Sequence, residues 1–375
     1  MMLIAFVWLL ILLFKASTAL RLLRVAGREP ARDLASVTVV QPILSGDPAL
    51  ESVLASNLQS LTGASFLWLI DEDDTQAARV TQRLQRQHPD SSIRIYAYPQ
   101  APEGVNPKLF KMEQGRALVN TSAIMVLDDD ATLDAASLQE MLNGLDDNSL
   151  VTALPWYRAA NNAPSRLLAQ FVNDNSAMTY LPLLPYAPPL TLNGMCYVLK
   201  AETLERVGGF APIMRHLTDD LALATMLTHS GVRIVQSTAT VSVQTSVPDV
   251  RRYARQMHRW FLFATLLMRE KSARVNVAIF VLQGLHPLLL WAMCIMAFCG
   301  SMADIGIVAA VLLVRQATLR RVQRAVSADI PAHPVLSVLS ELMQPLHLLN
   351  ALVNRTIYWR SRRYRIFSND RFTSL

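Results

Sequence analysis

A-I-M-V-L-D-D-D-A-T-L, residues 123–133, sets five apolar residues directly before three aspartates. The apolar run has the length and composition of a strand buried on both faces. Adjacent carboxylates repel, and burying them without partners costs on the order of several kcal/mol, comparable to the margin of a whole domain. Asp128, Asp129 and Asp130 therefore read in one of two ways. They are a solvated turn at a strand end, or negative charge kept for a divalent cation.

Upstream, V-T-V-V-Q-P-I-L (37–44) reads as a strand ending near a proline, and 48–61 as a helix with Leu50, Val53, Leu54 and Leu58 on one stripe. F-L-W-L-I (66–70) is a second buried strand, followed by D-E-D-D and a helix over 75–87. A strand over 93–98 and a helix over 109–118 complete the run up to the aspartates. Apolar strands alternating with helices predict a parallel sheet with helical crossovers, where ligands bind at the carboxyl ends of strands. Both D-E-D-D (71–74) and D-D-D (128–130) fall at such ends.

The whole chain, 375 residues, is 52% hydrophobic and only 17% charged, too apolar for a purely soluble protein of this length. No internal repeat or low-complexity segment is present. The apolar excess lies at 2–14 and from Val275 onward. The first run lacks a basic leader and a clear small-residue cleavage site, so an uncleaved anchor over 1–23 is expected rather than a signal peptide. Arg21, Arg24, Arg28 and Arg32 follow it and predict a cytoplasmic globular domain over 36–250. Next come an amphipathic interfacial helix over 251–273, membrane segments over 275–353 and a basic cytoplasmic tail over 354–375. Within the membrane part, 275–299 is long enough to span, and 303–314 spans only if its helix runs on through Arg315. The stretch 334–353 carries Glu341, Pro345, His347 and Asn350 and reads as an interfacial or re-entrant element, which keeps the tail inside. Three cysteines in these positions suggest no disulfide framework. The net charge of +6 is concentrated beside apolar segments, pointing to anionic lipid rather than nucleic acid.

Four clusters could carry chemistry. D-x-D at Asp128 and Asp130 spaces two carboxylates to share one Mg²⁺ or Mn²⁺ with a diphosphate, whose charge builds up as it leaves. The same residues fit D-x-D-x-T, in which Asp128 would be a phosphatase nucleophile, but that motif normally opens its fold rather than following three strands. L-T-D-D-L-A-L-A-T-M-L (217–227) begins a helix that Thr218 or Asp219 can cap, with Leu221, Leu223, Ala224 and Leu227 as its apolar stripe. Asp220 is either one more acid in the first turn or a general base aimed at an acceptor hydroxyl. Just before it, V-G-G-F (207–210) reads as a tight turn that brings backbone close to a ligand. In R-R-Y-A-R-Q-M-H-R-W-F (251–261), Gln256, Arg259 and Trp260 share one helical face, while His258 points elsewhere.

Taken in order, D-E-D-D, D-x-D, G-G-F, T-D-D and Q-x-x-R-W resemble a membrane-bound inverting glycosyltransferase of the ceramide glucosyltransferase family. The resemblance extends to Gly104-Val105-Asn106-Pro107-Lys108, to Gly194-Met195 before the glycine turn, and to W-R-x-x-R-Y-R from Trp359 to Arg365. It implies a GT-A-like, Rossmann-related nucleotide-sugar domain between N- and C-terminal transmembrane helices. It further implies transfer of a sugar, glucose in the family, from a UDP-sugar to a lipid hydroxyl such as that of ceramide. Residue by residue, Asp71 and Asp73 match the donor-binding D-x-D-D strand end together with Asp74, and Lys108 lies near the nucleotide. Asp128, Gln256, Arg259 and Trp260 face the donor, Asp128 and Asp130 hold the cation, and Asp220 is the base. The chain departs from the family in carrying Asp219-Asp220 where Glu-Asp is usual, and in keeping D-x-D complete. From Pro155 to Leu192 the match is poor, and that region is expected to shape the acceptor entrance. The partners so implied are a UDP-sugar, a membrane lipid and the bilayer, as for an integral protein of a bacterial inner membrane or its equivalent. An aspartyl phosphatase and a non-catalytic membrane scaffold are the competing classes.

Overall fold

The computed structural model describes residues 1–24, 32–359 and 362–374, so Arg28 and Arg360 lie outside the described residues. α1 (Met2–Leu23) opens the chain. Then come β1 (Val37–Pro42), α2 (Leu50–Ser60), β2 (Ser65–Asp71), α3 (Thr75–Gln87), β3 (Ile93–Tyr98), α4 (Pro107–Arg116) and β4 (Ala123–Leu127), each within about two residues of its sequence expectation. β5 (Ala131–Thr132), α5 (Ala135–Asn143), β6 (Ser149–Ala159), α6 (Ala163–Tyr180), β7 (Cys196–Lys200), α7 (Ala201–Arg206), α8 (Asp219–His229) and β8 (Arg233–Thr245) complete the domain.

The strands form one sheet in the order β3-β2-β1-β4-β7-β6-β8-β5. β1, β2, β3 and β4 run parallel, as expected. Beyond β4 the parallel expectation fails, because β7 is antiparallel to both β4 and β6. A continuous apolar run fixes that a strand is buried, not which way it points. The result is a parallel half, β3-β2-β1-β4, continued by mixed strands.

Period-two alternation sends Val39, Trp68 and Met125 to one face and Val40, Leu67 and Val126 to the other. α2, α3 and α5 cover the first face through Leu54, Val80 and Leu138, and α4 and α8 the second through Leu109 and Leu223. D-D-D occupies the link between β4 and β5, near the middle of the sheet.

α6 is not among the helices expected above, yet it joins the domain to the apolar helices. Asn173 accepts from the Tyr157 amide at 2.8 Å and donates to the Tyr157 carbonyl at 3.0 Å, fixing α6 to β6. Its Ala177 and Met178 pack with Trp8 and Leu12 of α1.

α9 (Val250–Glu270) leads to α10 (Ala273–Ile279) and α11 (Leu285–Cys299), joined by a π-turn, and then to α12 (Met302–Val326) and α13 (Pro334–Val353). α12 does run on through Arg315, and α13 is continuous through Pro345. Among the described residues four helices are long and apolar enough to cross a membrane: Met2–Leu23, Ala273–Cys299, Met302–Val326 and Pro334–Val353. The segment expected as a simple basic tail is instead folded. β9 (Thr356–Trp359), β10 (Arg362–Ile366) and β11 (Phe372–Ser374) make an antiparallel sheet whose Ile357 and Ile366 pack on Leu217, Leu221 and Leu262.

Between the apolar helices lies a buried polar network. Arg315 bonds Glu341 at 2.6 Å and the Ser337 hydroxyl at 2.6 Å, and Ser337 in turn donates to Asp174 at 2.6 Å. Gln170 and Gln323 both donate to Asp174, at 2.8 and 2.7 Å. Lys15 reaches the Leu282 carbonyl and Gln283, and His286 lies 2.9 Å from Glu341.

Candidate active site

The G-V-N-P-K loop sets the first position. Gly104 has a φ of +72°, a left-handed turn that suits glycine. Asn106 then caps α4, its side-chain oxygen accepting from Lys108 at 3.0 Å, with Pro107 in the first turn. Asn106 also anchors the loop ahead of α8, because its amide donates to Met214 O at 2.8 Å and its Nδ2 to His216 O at 3.2 Å. The cap therefore directs Lys108 between the two acidic clusters.

Lys108 Nζ lies 2.7 Å from Asp128, 3.0 Å from Asp219 and 2.9 Å from the Gly194 carbonyl. Burial works against its charge, but Asp128 and Asp219 outweigh that and hold the ammonium well above its ordinary range. The sequence reading placed Lys108 beside the nucleotide; here it ties D-D-D to T-D-D.

The three aspartates separate into distinct roles. Asp129 accepts from the Leu44 amide at 2.7 Å and so closes the loop after β1; burial lifts its pKa to about 6. Burial raises Asp128 too, with Lys108 opposing. Asp130 is pushed well above the carboxylate range by burial and by the charges of Asp128, Asp129 and Asp47. Among the described residues its buried Oδ1 finds no hydrogen-bond partner. An orphaned carboxylate oxygen beside other raised carboxylates suits a hard cation. Mg²⁺ and Mn²⁺ sites of this kind use one or two carboxylates and take remaining ligands from phosphate and water. Among the described residues no three His, Cys, Asp or Glu side chains converge as a ready-made cage. Asp128 and Asp130 are thus the pair that could hold an ion shared with a substrate.

Asp220 follows at the start of α8. Burial, then repulsion from Asp219, lifts its pKa to about 7, while its own Oδ1 accepts from the Leu221 amide at 2.8 Å. Asp219 is paired with Lys108, and among the described residues no cation forms a salt bridge with Asp220. Tyr180 at the end of α6 and Tyr197 on β7 both feel the Asp220 charge and are shifted upward, chiefly by burial. Asp220 is therefore a near-neutral-pH carboxylate whose charge is felt by two buried phenols.

Thr218 holds the N-cap position, but its side chain does not cap the helix. Its hydroxyl bonds Asn369 instead. The expectation that Thr218 or Asp219 caps α8 is corrected accordingly, since both side chains have stronger partners elsewhere. G-G-F is corrected as well. A Cβ at Gly209 would collide with Arg116 and Glu113, and Phe210 N donates to Glu113 at 2.7 Å. The turn hugs α4, not a ligand.

On α9, Arg259 donates to Gln256 at 3.0 Å, and its buried Nε finds no partner among the described residues. Burial lowers its pKa, opposed by the charges of Tyr157, Asp219 and Asp130, so the guanidinium faces the same cluster. Trp260 packs edge-on to Tyr157 at 6.1 Å and stacks on Phe171 at 6.2 Å. His258, as expected, points away, with Nε2 3.1 Å from Thr356 O and Nδ1 2.9 Å from Asn350. Asp71 pairs with the buried Lys111 at 3.1 Å, and Asp73 accepts from Gln100 at 2.6 Å. Asp74 caps α3 and accepts from Ser45 N at 2.8 Å.

Lys108, Asp128, Asp130, Asp220 and Arg259 are thus brought together, while Asp71 and Asp73 stand two strands over, at and just beyond the end of β2. Sequence reasoning missed Lys111, Tyr157 and Asn369. Lys111 had a signal, being one helical turn from Lys108 on the same face. Tyr157 and Asn369 had none.

The family profile of glycosyl transferase family 21 matches residues 2–372. The chain belongs to that family. The family is one of glycosyl transferases, and the four long apolar helices among the described residues suit a membrane protein. Ceramide glucosyltransferase 1 of Caenorhabditis elegans is 22% identical over 247 residues, covering 64% of this chain and 52% of the relative. The matched segment thus spans about half the length of that relative. Among solved structures, a mannosyltransferase from Pyrobaculum calidifontis in complex with GDP-Man and Mn²⁺ covers 93% of this chain and 98% of its own at 15% identity and a TM-score of 0.45. S. aureus TarS in complex with UDP-GlcNAc covers 88% and 97% at 10% identity and a TM-score of 0.38.

Proposed function

We propose that this glycosyltransferase moves a hexosyl group, glucose by family likeness, from a UDP-sugar to the hydroxyl of a membrane lipid such as ceramide, with inversion, at the cytoplasmic face of the bilayer. The observation that carries this reading is Lys108. By bonding Asp128 and Asp219 together it sets the D-x-D strand end and the Asp220 helix start around one space, the arrangement an in-line displacement needs.

Asp220 takes the proton of the acceptor hydroxyl as that oxygen attacks the anomeric carbon. The bond from that carbon to the diphosphate oxygen breaks on the opposite face. A carboxylate with a pKa of about 7 is matched to this work near neutral pH. Arg259, held by Gln256, offers its free Nε–H to the departing diphosphate. Trp260 walls the sugar side, and Asp71, Asp73 and the Lys108 loop border the nucleotide. Mg²⁺ or Mn²⁺ at Asp128 and Asp130 would neutralise charge on the leaving phosphates. The phosphatase reading of Asp128 and the scaffold reading both yield to membership of a glycosyltransferase family.

The test uses detergent-purified protein with a panel of UDP-sugars, with Mn²⁺ or Mg²⁺ present or chelated, and with ceramide or diacylglycerol present or absent. UDP release that needs one sugar, one lipid and the cation supports the reading and names both substrates. Release that ignores every lipid, or survives chelation, overturns the acceptor or the cation assignment respectively.

A further inference from the structure

The turn between β10 and β11 reaches across to the base-bearing helix. Ser368 N donates to Arg371 O at 3.1 Å and the Ser368 hydroxyl to Asp370 at 2.6 Å, which tightens the turn and presents Asn369. Asn369 is buried. Its carbonyl accepts from Leu217 N at 2.9 Å, and its side-chain Oδ1 accepts from both Thr218 N at 2.8 Å and the Thr218 hydroxyl at 2.5 Å. Three donors on the two residues before Asp219 and Asp220 are therefore satisfied by one asparagine about 150 positions away. The Thr218 hydroxyl is thereby drawn off the end of α8 and cannot compete with Asp220 for the first-turn amides.

We propose that Asn369 is a positioning residue for the base, fixing the start of α8 so that Asp220 faces the acceptor and Asp219 faces Lys108. This rests on the reading of Asp220 as base. The apolar contact of Ile357, Ile366 and Phe372 with Leu217 and Leu221 brings the sheet to α8, and Asn369 sets the register of that contact. An asparagine suits the task because its amide oxygen accepts two bonds without adding charge beside two carboxylates.

The experiment compares wild type, Asp220→Asn, Asn369→Ala and Asn369→Asp as purified full-length proteins in the UDP-release assay, with kcat, KM for the UDP-sugar, the pH profile of kcat and Tm each measured. Asn369→Ala should lower kcat at least tenfold, with KM for the UDP-sugar changed less than threefold. Asn369→Asp keeps the acceptor and should restore most of kcat at high pH, with its acid limb moved upward by the added negative charge. A lower Tm for Asn369→Ala with wild-type kcat and pH profile would reduce Asn369 to a structural clip and overturn the proposal. Wild-type turnover in Asp220→Asn would overturn the base reading, and this proposal with it. A dead Asp220→Asn beside an unaffected Asn369→Ala would overturn this proposal alone.

Discussion

Two clusters of buried charge, one among the apolar helices and one at the strand ends of the domain, are built on opposite principles. The network among the apolar helices sets Asp174 and Glu341 against Arg315 and Lys15, with serine and glutamine groups taking up further bonds. The site cluster gathers Asp128, Asp129, Asp130, Asp219 and Asp220 against Lys108, Lys111 and Arg259, and leaves Asp130 Oδ1 and Arg259 Nε unpartnered among the described residues. Near charge balance makes the first a clasp between helices. Excess negative charge makes the second a place that gains from a cation. The difference shows why buried charge and orphaned atoms alone do not identify a site: Glu341 Oε1 and His286 Nε2 in the first cluster are also buried without hydrogen-bond partners among the described residues, so what matters is the excess of one sign.

The sharpest way to break the comparison is Asp220→Asn. Loss of a general base lowers turnover by about 10²–10⁴-fold, with KM for the UDP-sugar little changed. The same variant should be more stable at alkaline pH. The folded pKa of Asp220 stands at about 7 against an ordinary 3.8, so the proton-linked stability is fully present below the lower value and is lost as pH rises through the upper one. Asparagine has no such loss. Thermal unfolding should therefore show the variant ahead at pH 8, with the gap narrowing as pH falls toward 4. A variant no more stable at pH 8 would mean that Asp220 carries no folding penalty in its charged form.

In the other cluster the expected effect is on folding, not turnover. Arg315→Ala leaves Asp174 and Glu341 without their guanidinium and should cost about 3–5 kcal/mol. Adding Glu341→Gln and Asp174→Asn to it should recover much of the loss in Tm. Protein that survives with Arg315→Ala should retain its KM for the UDP-sugar. A variant that folds normally but loses donor affinity would move this network from clasp to site.

Lys108→Gln tests the bridge. It removes a cation that bonds Asp128 and Asp219 together, at a cost of about 1–3 kcal/mol. kcat should fall more than Tm, because base and leaving-group site lose their common anchor. Excess Mn²⁺ should return part of the Tm and little of kcat.

The legibility of the molecule follows the same division. β1 to β4 and α2 to α4 were readable because each buries an apolar run bounded by turn residues, and the acidic strand ends fell where such sheets bind ligands. Lys108, Asp220 and Arg259 were readable because their motifs are contiguous. What was not readable depends on partners distant in sequence. Strand direction in β7, the Asp174–Arg315–Glu341 network and the hold of Asn369 on Thr218 all join positions that no local pattern links. α6 had a local signal that was passed over: Asn162 accepts from Ser165 N at 2.8 Å, and the asparagine, proline and serine of N-A-P-S mark a helix start. Its polar residues Gln170, Asn173 and Asp174 hid the helix because they are satisfied by β6 and by the membrane-level network, not by solvent.

Gly194→Ala sharpens the comparison at the finest scale. Gly194 gives its carbonyl to Lys108, and a Cβ there would stand 3.1 Å from Asp220 Cβ. That contact is tighter than side chains normally accept, so Asp220 must yield by a few tenths of an ångström while Lys108 keeps all three of its partners. The charge balance of the site is untouched and only the aim of the base changes. Displacement on this scale should lower kcat by about tenfold, equivalent to about 1.4 kcal/mol of barrier, with Tm and KM for the UDP-sugar close to wild type. If the base tolerates the push and kcat holds, the position of Asp220 is not limiting. A fall in Tm with unchanged kcat would locate the value of this glycine in packing between β7 and α8.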